Sequence, residues 1–168
     1  MKQETFEYLA RPFRENAAYK KALNIVNQTL TTVIFISYPA YLALLLMQKD
    51  PALLRCILVP GITFLLVTMF RMLVSAPRPY EIYSLEPLIK RDAAGKSFPS
   101  RHVFSIFIIA MAFLYTQPLI GIVTLFAGIL LAAVRVISGV HFPKDVLAGA
   151  LLGIGLGLIG FYWIPWPI

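Results

Sequence analysis

Cysteine is nearly missing from this chain, with Cys56 standing alone. One thiol excludes any intrachain disulfide, and its place inside a hydrophobic run makes it a packing residue. Histidine is almost as scarce, represented by His102 and His141, and eight acids face fifteen Lys and Arg. Two histidines and a few scattered acids make no convincing ligand set, so no metal and no cofactor are expected. Charge is thin throughout: 14% of residues are charged, against about 25% in a soluble domain. From Phe104 to the end, only Arg135, Lys144 and Asp145 carry charge, all within eleven positions.

What fills the chain instead is hydrocarbon. Hydrophobic residues make up 59% of the 168 positions, and mean hydropathy is +0.77. One small core cannot hold that many apolar side chains while keeping a polar surface, so lipid must be the solvent for much of the protein. This is an integral membrane protein. Its net charge of +7 suits anionic headgroups or an anionic substrate, and Lys and Arg also anchor helix ends. No soluble basic surface remains once the spans are set aside, which excludes nucleic acid. The first 21 residues are too charged to form the apolar core of a cleavable signal peptide.

The pattern predicts an all-α, integral membrane helical bundle of about five transmembrane helices, preceded by an N-terminal interfacial segment. That segment, residues 1–21, interleaves Lys and Arg with Phe6, Tyr8, Phe13 and Tyr19, and Pro12 should divide it into two short helical pieces. Residues 22–168 then form a single transmembrane domain. Its spans are expected at 23–47, 52–74, 100–115, 119–137 and 143–163, each close to the 20 residues that cross about 30 Å of hydrocarbon. Arg55 and Arg71 lie near opposite ends of the second span, where both can snorkel to an interface. Gly149, Gly153 and Gly157 share one helix face and permit close packing. Tyr162, Trp163 and Trp166 mark the far interface. Five spans put the N-terminus, the polar loop 76–102 and the turn around His141 on one side. Five cations in residues 1–21 tilt that side toward the cytoplasm by the positive-inside rule, with the outer face left open.

Charge inside a membrane protein is a functional signal by default. Both histidines lie near helix starts on the same side, each beside arginine. Arg71 and Arg78 are seven apart and share a face if the helix continues that far. Ser100 is a candidate N-cap whose helix start offers backbone N–H groups to an anion. Arg135 adds another guanidinium, and three such forks can surround a tetrahedral dianion. Asp145 follows His141 by four and can accept from one imidazole nitrogen while the other stays free to attack.

Three stretches in order carry a resemblance: RMLVSAPRP at 71–79, PSRH at 99–102 and VRVISGVHFPKD at 134–145. They resemble the motifs of the type 2 phosphatidic acid phosphatase superfamily, which also includes prenyl diphosphate phosphatases. Those motifs are Lys, six residues, Arg-Pro; Pro-Ser-Gly-His; and Ser-Arg, five residues, His, three residues, Asp. The spacing matches throughout. Arg71 replaces the Lys, Arg101 the Gly and Val134 the Ser, and no catalytic group is lost. The resemblance implies that His141 is a nucleophile forming phosphohistidine, that Asp145 orients it and that His102 is the general acid. It implies phosphate binding by Arg71, Arg78, Ser100 and Arg135. Arg101 is a further candidate, able to narrow the pocket, grip a second phosphate or face lipid headgroups. The middle of the loop, residues 80–96, has no assigned chemistry and is expected to roof the pocket or screen the lipid headgroup.

The expected function is metal-independent hydrolysis of a lipid phosphate monoester or diphosphate, of the phosphatidic acid, phosphatidylglycerol phosphate or polyprenyl diphosphate type. The partner is then a membrane lipid phosphate. The alternative is a non-catalytic protein that binds or transports lipid phosphates with the same cationic site.

Overall fold

The computed structural model describes residues 1–92 and 94–165. These residues form helices joined by turns and one long loop: α1 (Gln3–Glu15), α2 (Ala17–Met47), α3 (Ala52–Val74), α4 (Pro79–Ile82), α5 (Arg101–Thr116), α6 (Pro118–Ile137) and α7 (Pro143–Leu158). A π-helical turn, Ile159–Trp163, extends α7. Four helices are long and apolar enough to cross a membrane, namely α2, α3, α6 and α7 with its extension. The chain is therefore a multi-pass membrane helical bundle.

The third expected span, 100–115, is α5, which has only 16 residues, about 24 Å of helix. Its shortness fits its place at the centre. Val103, Phe104, Ile106 to Ile108 and Ala110 to Phe113 are all buried, so α5 is clasped by protein, chiefly by α6 and α7. By contrast α2 leaves most of its surface outward, as a lipid-facing helix does. The starts and stops follow the sequence. Asn16 Oδ1 caps α2 by accepting from the N–H groups of Ala18 (2.9 Å) and Tyr19 (3.3 Å). Pro118 and Pro143 open α6 and α7.

Three expectations need correcting. Pro12 does not divide the N-terminal segment, because α1 runs through it. The bond it forfeits is to the carbonyl of Tyr8, a residue exposed to solvent, so little is lost. Arg71 and Arg78 do not share a helix face. Ser75 turns left-handed (φ 44°) and ends α3, and Arg78 is extended just before α4. Arg71 does not snorkel either; its side chain is buried within the bundle. Trp166 lies outside the described residues.

The glycines of α7 meet α5 as their spacing predicts. A Cβ on Gly149 would stand 2.7 Å from the Ser100 carbonyl oxygen, and one on Gly153 would stand 2.7 Å from Phe107 Cβ. Only a bare backbone allows that approach. At the site end, Phe6 of α1 is buried against Tyr83 and Phe142. The N-terminal helix, the long loop and the 138–142 turn thus meet at one end of the bundle. At the other, Arg55 donates to Tyr115 Oη (3.2 Å) and the Phe161 carbonyl (2.9 Å).

Gly153→Ala should destabilise the bundle by about 1–3 kcal/mol through overpacking against α5. Gly155, with open space around it, is the control. In detergent, thermal unfolding of Gly153→Ala should come earlier than wild type, and Gly155→Ala should not.

Candidate active site

The turn between α6 and α7 holds His141 in place through its backbone. Gly139 adopts φ 73°, which a side chain would disfavour. The N–H groups of Val140 and His141 then both reach the Arg135 carbonyl, at 3.3 Å each. The imidazole is 1% exposed. Its Nδ1 lies 3.3 Å from Ser97 Oγ and 3.6 Å from Asp145 Oδ2, and its Nε2 lies 3.3 Å from a guanidinium nitrogen of Arg78.

These contacts assign the tautomer. Arg78 can only donate, so Nε2 carries a lone pair and the ring proton sits on Nδ1. Nδ1–H then donates to Ser97 Oγ, and the Ser97 hydroxyl donates to Asp145 Oδ2 at 2.5 Å. At 3.6 Å the direct His141–Asp145 contact is too long for a good hydrogen bond, so Ser97 bridges them. Asp145 is fixed independently: Oδ2 accepts from the Phe142 N–H (2.9 Å), and its carbonyl accepts from the Ser100 N–H (2.9 Å). That last bond joins the starts of α5 and α7 beneath the site.

Nε2 faces a cationic pair. The same Arg78 nitrogen donates to the Val140 carbonyl (2.9 Å) and to Asp92 Oδ2 (3.2 Å), while Arg135 makes a short ion pair with Asp92 Oδ2. Asp92 Oδ2 stands 3.9 Å from His141 Nε2. Burial would raise the Asp92 carboxyl, but Arg135, His102, Arg78 and His141 together hold it below the usual carboxylate range, so it is ionised. Burial is also the main cause that lowers His141, to about 4; Arg135 and Arg78 add to it, and Asp145 opposes it. The imidazole is therefore neutral at pH 7.

The other sequence-named residues take different stations. Arg71 donates to the carbonyls of Lys96 and Pro99, with Ser97 at 3.5 Å, and so clamps the strand of loop that carries Ser97 and Ser100. Ser100 caps α5 by position, yet its buried Oγ makes no side-chain bond to the helix and has no partner among the described residues. His102 and Arg101 line a polar cavity of about 610 Å³ together with Asp92, Arg135, Asn27 and Thr31. Arg101 is exposed, with its guanidinium over the Phe64 ring.

Two residues were missed by sequence reasoning. Ser97 carries no signal of its own, since one serine among many reveals nothing until the loop folds against His141. Asp92 did carry one: it is the only acid between Glu86 and Asp145. Among the described residues no group of three or more potential ligands is gathered to hold a metal ion.

A buried neutral imidazole with its Nε2 lone pair toward Arg78, beside the Asp92–Arg135 ion pair, is chemically able to attack a bound anion. The family model of the PAP2 superfamily matches residues 52–168, and the chain belongs to that superfamily. It is 26% identical to the undecaprenyl-diphosphatase BcrC of Bacillus subtilis (strain 168), over 85% of this chain and 76% of that one. A 69-residue stretch, 41% of this chain and 34% of the other, is 38% identical to the bacitracin transport permease protein BcrC of Bacillus licheniformis. The fold is similar to that of LpxE from Aquifex aeolicus, with TM-score 0.74, 24% identity and coverage of 95% and 94% of the two chains. It is also similar to a transmembrane PAP2-type phosphatidylglycerolphosphate phosphatase from Bacillus subtilis, with TM-score 0.61, 24% identity and coverage of 93% and 90%.

The lowered His141 value has a measurable consequence. Below 6.5 an unfolded histidine takes up a proton that native His141 refuses until about pH 4. Its contribution to stability is thus intact above 6.5 and is lost as pH falls through that window. Thermal unfolding in detergent should show a shallower loss from pH 7.5 to 4.5 in His141→Gln than in wild type.

Proposed function

We propose that this chain, a membrane phosphatase of the PAP2 superfamily, hydrolyses a lipid-linked phosphate through a phosphohistidine at His141. The observation that carries the reading is the division of labour around that ring: Nδ1 is engaged by Ser97 and Asp145, and Nε2 is aimed at Arg78 and the Asp92–Arg135 pair. Phosphoryl transfer asks a protein mainly for positioning and charge neutralisation, and the arginines offer both.

In the first step Nε2 forms a bond to the terminal phosphorus while the bond from that phosphorus to its bridging oxygen breaks, so a monoester loses the lipid alcohol and a diphosphate loses the lipid monophosphate. His102 gives its proton to the departing oxygen. The Nδ1–H proton stays in its chain to Ser97 and Asp145, where the carboxylate balances the developing imidazolium. In the second step water attacks phosphorus, neutral His102 takes the water proton, and the nitrogen–phosphorus bond breaks to release inorganic phosphate. Arg78, Arg135 and the Ser100 hydroxyl hold the phosphoryl oxygens, and Arg71 acts by holding the loop that presents Ser97 and Ser100.

A prenyl diphosphate is the substrate favoured among lipid phosphates. The undecaprenyl-diphosphatase relative aligns over most of this chain, and Arg101 at the cavity mouth supplies a cation for a second phosphate. The helix α1 (Gln3–Glu15) would lie along the membrane interface beside the site, with the helices from α2 onward forming the transmembrane domain.

Purified protein should release phosphate from polyprenyl diphosphate faster than from phosphatidic acid or phosphatidylglycerol phosphate. In His141→Ala, release should drop by at least about a thousandfold. Acid quench of wild type with labelled substrate should trap a phosphohistidine that the variant lacks. Tight headgroup binding with neither turnover nor trapped label would sink the enzymatic reading in favour of passive binding.

We also propose that the site faces the cytoplasm, as the five cations of residues 1–21 suggest. In intact cells a membrane-impermeant thiol reagent should then modify Lys49→Cys and spare Ser84→Cys. The reverse pattern would place the site outside.

A further inference from the structure

Nothing in the three motifs accounts for Asp92. Its Oδ2 touches Arg78 and Arg135 and stands 3.9 Å from the nitrogen that would attack. For attack, phosphorus must come within roughly 3–3.5 Å of Nε2, with its oxygens on those same guanidiniums. One carboxylate oxygen and one phosphoryl oxygen cannot share the position, and two anions this close repel. Resting on the phosphatase reading, we infer that Asp92 is a specificity-determining residue. Its carboxylate is an internal competitor for the phosphoryl position, and it sets how tightly the site holds small phosphate-like anions.

The geometry allows the exchange without unfolding the loop. The Asp92 backbone is anchored, since its carbonyl accepts from Tyr80 Oη at 2.8 Å. The loop is pinned further by Glu81, which accepts from the N–H groups of Arg78 (2.8 Å) and Gly95 (3.1 Å). The carboxylate therefore leaves by side-chain rotation alone. Lys90 and Arg91 line the same cavity and can receive it there. The Asp92 side chain is 23% exposed, whereas those of Arg78 and Arg135 are 2% and 3% exposed. The anion is thus the accessible member of the cluster, and the cations are fixed.

Discrimination follows. An anion that binds only through its phosphate must displace Asp92 with nothing in return. A lipid substrate has its chain contacts in the bilayer to offset that displacement. After hydrolysis the carboxylate returns to the arginines and expels the product. Asp92 thereby keeps inorganic phosphate from occupying the site and favours lipid-borne phosphate over soluble phosphate.

The experiment compares wild type with Asp92→Asn, nearly equal in shape, and with Asp92→Glu, which keeps the charge. Orthovanadate and inorganic phosphate are the probes, and calorimetry in detergent reads their affinity without turnover. Removing the competing charge should tighten both by at least about tenfold in Asp92→Asn, with Asp92→Glu close to wild type. In the lipid phosphate assay the Asn variant should show a lower KM and stronger inhibition by product. Unchanged or weaker orthovanadate binding in a folded Asp92→Asn would overturn the proposal. So would failure of both Asp92→Asn and Asp92→Ser to fold while Asp92→Glu folds, since Asp92 would then be a structural counter-charge. If Asn does not fold and Ser does, Ser is read by the same criterion. Absence of phosphate release from wild type would count against the phosphatase reading alone, because the anion affinities are measured independently of it.

Discussion

Three guanidiniums, those of Arg71, Arg78 and Arg135, are buried together at one end of a bundle whose outside is lipid. Like charges do not gather in a low-dielectric interior unless something neutralises them or satisfies their donors. Here the long loop and the turn between α6 and α7 do both. Carbonyls of Lys96, Ser97, Pro99 and Val140 accept from Arg71 and Arg78, and the Asp92 carboxylate lies between Arg78 and Arg135. The fold of the loop can be read as the solution to that electrostatic problem. The same solution leaves more cationic than anionic charge in the cluster, which makes it a receptor for a further anion.

Helix packing turns that cluster into a site with fixed distances. Because α7 carries Gly149 and Gly153 where it meets α5, the two helices approach until backbone touches backbone. Their first turns are then near enough for the Ser100 N–H to reach the Asp145 carbonyl. Asp145, Ser97 and His141 inherit their spacing from that contact. Above them Arg14 donates to the Glu86 carbonyl (3.0 Å) and Asn24 to the Leu88 carbonyl (2.8 Å), so α1 and α2 tie down the loop from outside. Segments distant in sequence thus hold the His141 ring from several directions.

Much of this was legible in the residues, for identifiable reasons. Arg135, His141 and Asp145 stood out because charge is so rare after Phe104, and local spacing alone brings them to one turn. The spans and their stops were readable from hydropathy, proline and glycine. What escaped depended on tertiary contact or on a single backbone angle. Ser75 in the left-handed region sends Arg78 away from the face of Arg71, and no seven-residue count foresees that. Burial of α5 among its neighbours lets a 16-residue helix serve where a lipid-exposed span would need more. Ser97 acquires a role only because Arg71 pulls its carbonyl inward and turns its hydroxyl toward Asp145.

The cations also act on the His141 ring. Arg78 and Arg135 reinforce the effect of burial in keeping His141 unprotonated, so the groups suited to hold an anion also keep the Nε2 lone pair available. A phosphoryl dianion settling on them would cancel much of their field at the ring. The imidazole would then become more basic at the moment its nitrogen begins to bond to phosphorus and positive charge develops on it, with Asp145 placed behind Ser97 to balance that charge. In the proposed mechanism, binding and activation are thus coupled through one set of charges. An anion that reached the arginines without bringing phosphorus to Nε2 would raise the ring's proton affinity to no purpose, and the carboxylate already seated against them is that of Asp92.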